Sequence, residues 1–218
     1  KVFVVKKIPY TTFLDLIAPH YCYFCGKIGK LWCDDCQKHN NFSVNYIKNN
    51  KKPLDYEFYI SQRDGILKTI VDDYKFNNIK QNADILGKIL ADSLGANKIT
   101  TNKQDVIIVP IPTVRRHIRE RGYDHIKLLS ESFCYWSGLT YQMALSRLTT
   151  DRQRGASAKD RRLQAKKAFK VFTDIKPDIE YILLDDIKTT GSTLDEAAKV
   201  LRNNGATKVA AIYILKQE

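Results

Sequence analysis

Residues 181–206 read YILLDDIKTTGSTLDEAAKVLRNNGA, and the organisation of the chain follows from them. Tyr181, Ile182, Leu183 and Leu184 form a short apolar run, the pattern of a parallel strand covered on both faces. Asp185 and Asp186 stand where that strand is expected to end. Thr189, Thr190, Gly191, Ser192 and Thr193 follow, and Leu194, Ala197, Ala198 and Leu201 then recur at helical spacing until Gly205 stops the helix. A helix opening from glycine and hydroxyl residues turns free backbone N–H groups and a positive dipole end toward an anion, above all a phosphate. Two carboxylates just upstream suit a sugar diol, because carboxylates accept the hydrogen bonds that hydroxyls donate. The plainer reading is an acidic turn with an N-cap at Ser192 or Thr193. The complete strand–DDxxTTGST–helix unit favours the phosphate site. Lys188, inside the loop, either adds a phosphate contact or points to solvent.

The DDIKTTGST segment resembles the 5-phosphoribosyl-1-pyrophosphate (PRPP) motif of type I phosphoribosyltransferases. The resemblance implies that Asp185 and Asp186 hold the ribose 2′- and 3′-hydroxyls. It implies too that the loop of Lys188, Thr189, Thr190, Gly191, Ser192 and Thr193 wraps the 5′-phosphate.

The chain's 218 residues, 44% hydrophobic, suffice for one full domain and a small appendage. No run approaches the ~18 apolar residues of a membrane span, and no signal peptide is visible. The cysteines are therefore expected in a reducing compartment, as metal ligands rather than disulfides. The net charge of +12 is unevenly placed: residues 111–170 hold fourteen Lys or Arg against five Asp or Glu, including nine of the eleven arginines. An Arg-rich segment suits pyrophosphate or nucleic-acid phosphates, which the guanidinium fork binds bidentately; the alternative is a solvated basic face that aids solubility.

Cys22, Cys25, Cys33 and Cys36 form C-x2-C-x7-C-x2-C. Each pair can make a knuckle aiming two thiolates at one point, and two pairs close a tetrahedral zinc site. A closed four-thiolate site leaves no open position, so the zinc is read as structural. His20 and His39 read as neighbours, and Cys134 as core. Tyr21, Tyr23, Phe24 and Trp32 surround the knuckle, either as a stacking platform for single-stranded nucleic acid or as cover for the metal packed on the main domain.

Polar residues 40–53 read as a linker, dividing a zinc module at 1–50 from a main domain at 51–218. Residues 2–5 are an undecided β-prone run and 12–18 two helical turns. Strands are expected at 56–60, 105–112, 141–148, 168–172 and 208–215, and helices at 65–76, 79–94 and from about 125. Residues 115–124, RRHIRERGYD, read as a basic loop at the carboxyl edge of the sheet, where open α/β sheets bind ligands. The polar, Arg-rich stretch 149–167 reads as a mobile loop able to close over an anion. The expected fold class is α/β, a mostly parallel sheet flanked by helices.

Taken in order, the cysteine knuckle, YKF, VPIP, RERGYDH, DRQ and LLDDIKTTGST resemble the bacterial competence protein F (ComF/ComFC) family from about Phe13 to Leu215. That resemblance implies a type I phosphoribosyltransferase-like domain joined to a zinc module. It implies a place in the bacterial cytoplasm, extending to the inner face of the membrane, and handling of incoming single-stranded DNA in natural transformation. PRPP, Mg²⁺ with it, single-stranded DNA and proteins of the DNA-uptake machinery are the implied partners. By position, Arg119, Arg121 and Gly122 match the RERG segment, Lys75 the YK position, and Arg147, Gln153 and Arg162 the polar loop. Gln164 stands where many relatives have Asn, and Tyr123-Asp124 where Phe-Asn is commoner. The alternatives are a phosphoribosyltransferase of nucleotide salvage or synthesis that displaces pyrophosphate from PRPP, and a nucleic-acid module with a vestigial site.

Overall fold

The computed structural model describes residues 19–51, 53–98, 102–148 and 169–217. The runs at 2–5 and 12–18 and the Arg-rich stretch with Gln153, Arg162 and Gln164 lie outside the described residues.

A six-stranded sheet in the order β1-β2-β8-β7-β3-β4 forms the centre. Its strands are β1 (Asn45–Lys48), β2 (Tyr56–Gln62), β3 (Val106–Pro110), β4 (Thr140–Tyr141), β7 (Glu180–Lys188) and β8 (Lys208–Lys216). Neighbours pair in parallel from β2 through β4, and only β1 runs antiparallel. Two short strands, β5 (Leu145–Arg147) and β6 (Phe169–Val171), pair antiparallel beside it. The stretch 141–148, expected as one strand, is thus divided between two sheets. Strand β1 lies inside the stretch read as linker.

The apolar runs of β7 and β8 are sorted by the alternation of a strand's side chains. Ile182, Leu184, Ala210, Ile212 and Ile214 face one layer, with Val106 and Ile108. Tyr181, Leu183, Val209, Ala211 and Tyr213 face the other. Helix α1 (Asp34–His39) belongs to the N-terminal segment, and the first layer is covered by helices α2 (Gly65–Phe76), α3 (Asn82–Lys98) and α5 (His125–Ser137). The second is covered by α6 (Ser192–Asn203) through Leu194, Ala197, Ala198 and Leu201. Both faces are buried, which is what permits continuous apolar strands.

Helices α3 and α5 approach closely at Gly87. A Cβ built there would lie 2.7 Å from the Phe133 backbone nitrogen and 2.3 Å from Ser132 Oγ. Helix α3 starts later than its apolar spacing indicates. Asn78 takes φ +61 in the preceding turn, and buried Asn82 donates to the Ile70 carbonyl at 3.0 Å and to Tyr23 Oη at 2.9 Å.

The basic segment after β3 is a helix rather than a loop: α4 spans Arg115–Arg121. Arginine and glutamate favour helix, and Arg116 pairs with Glu120 one turn on at 2.6 Å. Gly122, at φ 76, ends it by donating to the Ile118 carbonyl at 2.8 Å. Asp124 caps α5 by accepting from the Lys127 backbone N–H at 3.2 Å.

Candidate functional site

The centre of the site is β7. Its pairing with β8 continues to Lys188, whereas its pairing with β3 stops at Pro110 opposite Leu184. Asp185 and Asp186 therefore lie within the strand, just past the end of its shorter neighbour, with one edge of the backbone released. Adjacent strand residues point to opposite faces, so the two carboxylates diverge.

Asp186 turns into the first layer and is 2% exposed. Its Oδ1 accepts from Lys75 Nζ at 3.2 Å. Its Oδ2 lies 3.0 Å from Lys75 Nζ and 3.2 Å from His125 Nε2. Arg121 Nη1 donates to His125 Nδ1 at 2.9 Å. A guanidinium has no acceptor, so Nδ1 accepts and Nε2 is left as the ring N–H toward Asp186. The Tyr74 hydroxyl fixes the other side of this residue by donating to the His125 carbonyl at 2.6 Å. Burial alone would raise the Asp186 pKa; His125 and Lys75 overcome it and hold the carboxyl well below the usual range.

Asp185 is half-buried and shares its face with Leu183 and the α6 layer. Its Oδ1 accepts from the Asp186 backbone N–H at 3.0 Å. Burial, then the charge of Asp186, pushes its pKa upward against the milder pull of Lys75 and Arg147. Arg147 on β5 donates to the Pro112 carbonyl at 3.2 Å and stacks over Phe169 at 4.9 Å. Burial lowers its pKa, and the charge of Asp185 opposes that. Lys75 thus pairs directly with Asp186, and the charges of both Lys75 and Arg147 act on Asp185.

Gly191 takes φ 79 and precedes α6 without a side-chain cap of its own, and the Ser192 backbone N–H donates to Thr190 Oγ1 at 3.4 Å. Thr189, Thr190 and Ser192 are exposed and Thr193 half-buried; Thr190 Oγ1 and Ser192 Oγ lie 3.0 Å apart. Lys188 departs from the expectation of solvent. It folds under the loop to Glu57 on β2, forming a close ion pair, and lies 5.7 Å from the Tyr213 ring. A Cβ on Gly191 would come within 2.7 Å of Lys188 Cε. Glu57, 4% exposed, also accepts from Asn49 at 3.1 Å and Tyr213 at 3.0 Å.

The structure brings Lys75, Arg121 and Arg147 to the acids and leaves Arg119 exposed on α4. Sequence reasoning missed His125 and Glu57. His125 closes the RERGYDH segment, and its signal was that proximity. Glu57 has no local signal, because only the register of β2 against β8 brings it under the loop. A cavity of about 530 Å³ bordered by Ile107, Thr140 and Tyr181 lies at the amino ends of β3 and β7, away from this chemistry.

At the N-terminal end, the Sγ atoms of Cys22, Cys25, Cys33 and Cys36 lie within 4.8 Å of one another, with Cys25 and Cys33 3.6 Å apart. Zn–S bonds of ~2.3 Å require tetrahedral edges of about 3.8 Å, so the four thiols fit a metal of that size. Two turns shape the first knuckle, Cys22 N–H to the Lys27 carbonyl and Gly26 N–H to the Cys22 carbonyl, each 2.9 Å. His39 hydrogen-bonds the Asp35 carbonyl at 2.7 Å, and neither His39 nor His20 belongs to the cluster. The surrounding aromatics divide. Trp32 is 5% exposed, and Phe24 and Phe42 pack around it and the main core. Tyr23 donates to Asp73 at 2.7 Å. Tyr21 remains exposed, against Ile28 across a β-bridge. Buried Trp32 and half-buried Phe24 and Tyr23 pack on the main core, which favours docking of the module over a stacking platform. Cys134 is buried in the core, and burial raises its pKa.

A mostly parallel sheet flanked by helices, an acid pair at its carboxyl edge, a Gly-hydroxyl loop opening a helix, and an N-terminal four-cysteine cluster that could hold a metal ion define an α/β protein with a small cysteine-bearing module. No protein-family model matches the chain. Among curated proteins it is 33% identical over 195 residues to "Competence protein F" of Haemophilus influenzae, spanning 87% of this chain and 81% of that protein. It is 26% identical to "Competence protein ComFC" of Bacillus subtilis, spanning 93% and 80% of the two chains. It is 29% identical to "DNA utilization protein YhgH" of Salmonella typhimurium, spanning 73% and 72%. A solved structure described as the allosteric regulatory enzyme of purine biosynthesis aligns at 16% identity and TM-score 0.43, over 62% of this chain and 25% of that one. The chain belongs to the competence protein F (ComF/ComFC) family.

Proposed function

We propose that the protein binds PRPP and acts as a competence factor in the handling of incoming single-stranded DNA. The observation that carries this reading is the pairing of two features at one sheet edge: a helix N-terminus without a side-chain cap at Gly191 and a half-buried Asp185. The 5′-phosphate sits on the N–H groups of α6 with the hydroxyls of Thr189, Thr190, Ser192 and Thr193. Asp185 accepts from the ribose hydroxyls, and Asp186 positions Lys75 and His125 behind it. Arg119 is the exposed cation nearest in sequence to the Arg121 contact and meets the pyrophosphate. Mg²⁺ accompanies the diphosphate, taking its oxygens largely from ligand and water. Zinc in the four-cysteine cluster is structural. The names of the relatives support the competence role. Among the described residues no helix is long and apolar enough to cross a membrane; the proposed compartment is the bacterial cytoplasm.

Isothermal calorimetry of the zinc-loaded protein with PRPP, with and without Mg²⁺, tests the reading. Saturable binding that disappears in Asp185→Ala is expected; binding unchanged by that substitution overturns the site. Pyrophosphate release with candidate bases or amines, run on the same sample, would turn the reading toward a salvage phosphoribosyltransferase.

A further inference from the structure

We infer that the exposed ring of Phe76, with Arg121 at its side and helix α4 beyond, is the surface on which single-stranded nucleic acid is held. One base stacks on Phe76, and the adjoining phosphates lie along α4. The inference rests on the single-strand part of the proposed function and assigns it a surface.

Phe76 ends α2 and is 68% exposed, the most exposed large apolar side chain described. A phenyl ring makes no hydrogen bond with water, and its exposed face is open to a stacking ligand. Its surroundings state the occupant's chemistry. The Arg121 guanidinium carbon lies 6.0 Å from the ring centroid. Arg121 is not free to swing away, because His125, 5% exposed, holds its Nη1 at 2.9 Å. The aromatic–guanidinium pair is therefore set before any ligand arrives. Close by, Lys80 Nζ sits 5.0 Å from the centre of the Tyr123 ring. Helix α4 adds exposed Arg115.

The carboxylates nearby do not cancel this charge. Asp186 is held by Lys75 and Glu120 by Arg116 and His117; Asp73 keeps its charge while accepting from the Tyr23 hydroxyl and the Asn77 amide, and Arg115, Arg121 and Lys80 outnumber it. The patch is net positive with an open planar face. Aromatic faces among cations fit bases on a phosphate backbone, with stacking that tolerates any sequence. A duplex keeps its base faces inside and cannot use the ring. The knuckle offers a poorer surface, since Trp32 and Phe24 are committed to packing.

The test is fluorescence anisotropy of a labelled oligothymidylate of about twelve nucleotides, within the usual site size, on the full chain. Phe76→Ala is expected to weaken binding by about five- to a hundredfold, the effect of losing one stacked base. Phe76→Leu is expected to weaken it nearly as much, because it keeps apolar area but loses the ring. Arg115→Ser is expected to reduce the slope of log affinity against log salt by about 0.7. PRPP titration of Phe76→Ala is expected to match the parent. Equal oligonucleotide affinity in Phe76→Ala and parent overturns the assignment, as does duplex binding as tight as single-strand binding. If the parent itself binds no oligonucleotide, both the surface and the DNA part of the proposed function fall, and the PRPP titration reports separately on the rest. Loss of base-dependent PRPP turnover in Phe76→Ala, with oligonucleotide affinity intact, gives the ring to a small heterocyclic acceptor and also overturns the proposal.

Discussion

Asparagine substitution of the two neighbouring acids is expected to move stability in opposite directions. Asp186 is buried and paired with Lys75 at 3.0 Å. Asn in its place leaves Lys75, itself only 17% exposed at its side chain, without a counter-charge. Breaking a buried pair from one side costs about 3 kcal/mol, or about 6–12 °C in Tm for a chain of this size. Because the folded pKa of Asp186 is depressed, its contribution is fully present above the unfolded carboxylate value of ~3.9 and is lost as pH falls below it. Asp186→Asn should therefore destabilise across pH 5–8 and matter progressively less in acid. Asp185 has the opposite sign. Its folded pKa is raised, so it is favourable below ~3.9 and increasingly unfavourable as pH rises toward its folded value. Asp185→Asn should be near neutral at pH 4 and stabilising at pH 8, by about 1.4 kcal/mol for each unit of displacement removed, while PRPP binding is lost. Urea unfolding at pH 4, 6 and 8 measures both. Equal destabilisation by the two substitutions, or the same pH trend in both, would refute the division of roles between the acids.

Gly87→Ala should destabilise by about 1–3 kcal/mol through overpacking, since the new Cβ meets the Phe133 backbone at 2.7 Å; a denaturant midpoint unchanged from the parent contradicts the close contact of α3 and α5. Lys188→Met should cost about 3 kcal/mol by leaving Glu57 buried and unpaired, and adding Glu57→Gln should restore most of it in a double-mutant cycle. A strong chelator should release metal from the four-cysteine cluster and shift the emission of buried Trp32 to the red; emission that stays constant while metal leaves would mean that packing alone holds the knuckle.

The architecture was legible because its signals are local. Continuous apolar runs at 181–184 and 209–215 announced a sheet buried on both faces, and the spacing of Leu194, Ala197, Ala198 and Leu201 placed α6. Helix α2 coincides with the expected 65–76. What escaped depends on partners distant in sequence. The acids were expected where the strand ends, but β8 carries β7 on to Lys188, and that extension sends the carboxylates to opposite faces. The segment after β3 looked like a loop because its charges hide the Arg116–Glu120 pairing and the stop at Gly122. Lys188 gave no hint of Glu57, 131 residues away. The polar stretch at 40–53 concealed β1, which as an antiparallel edge strand needs little apolar content.

Helix α2 serves two masters. Near its carboxyl end Asp73 accepts from Tyr23 of the cysteine module, and two residues later Lys75 holds Asp186. The two ends of the chain thus meet on one rigid rod, less than a helical turn apart. Any preference that occupation of one end imposes on the position of that rod is owed back in equal measure by the other. Metal affinity measured with and without PRPP, and PRPP affinity measured with and without metal, must change by the same factor.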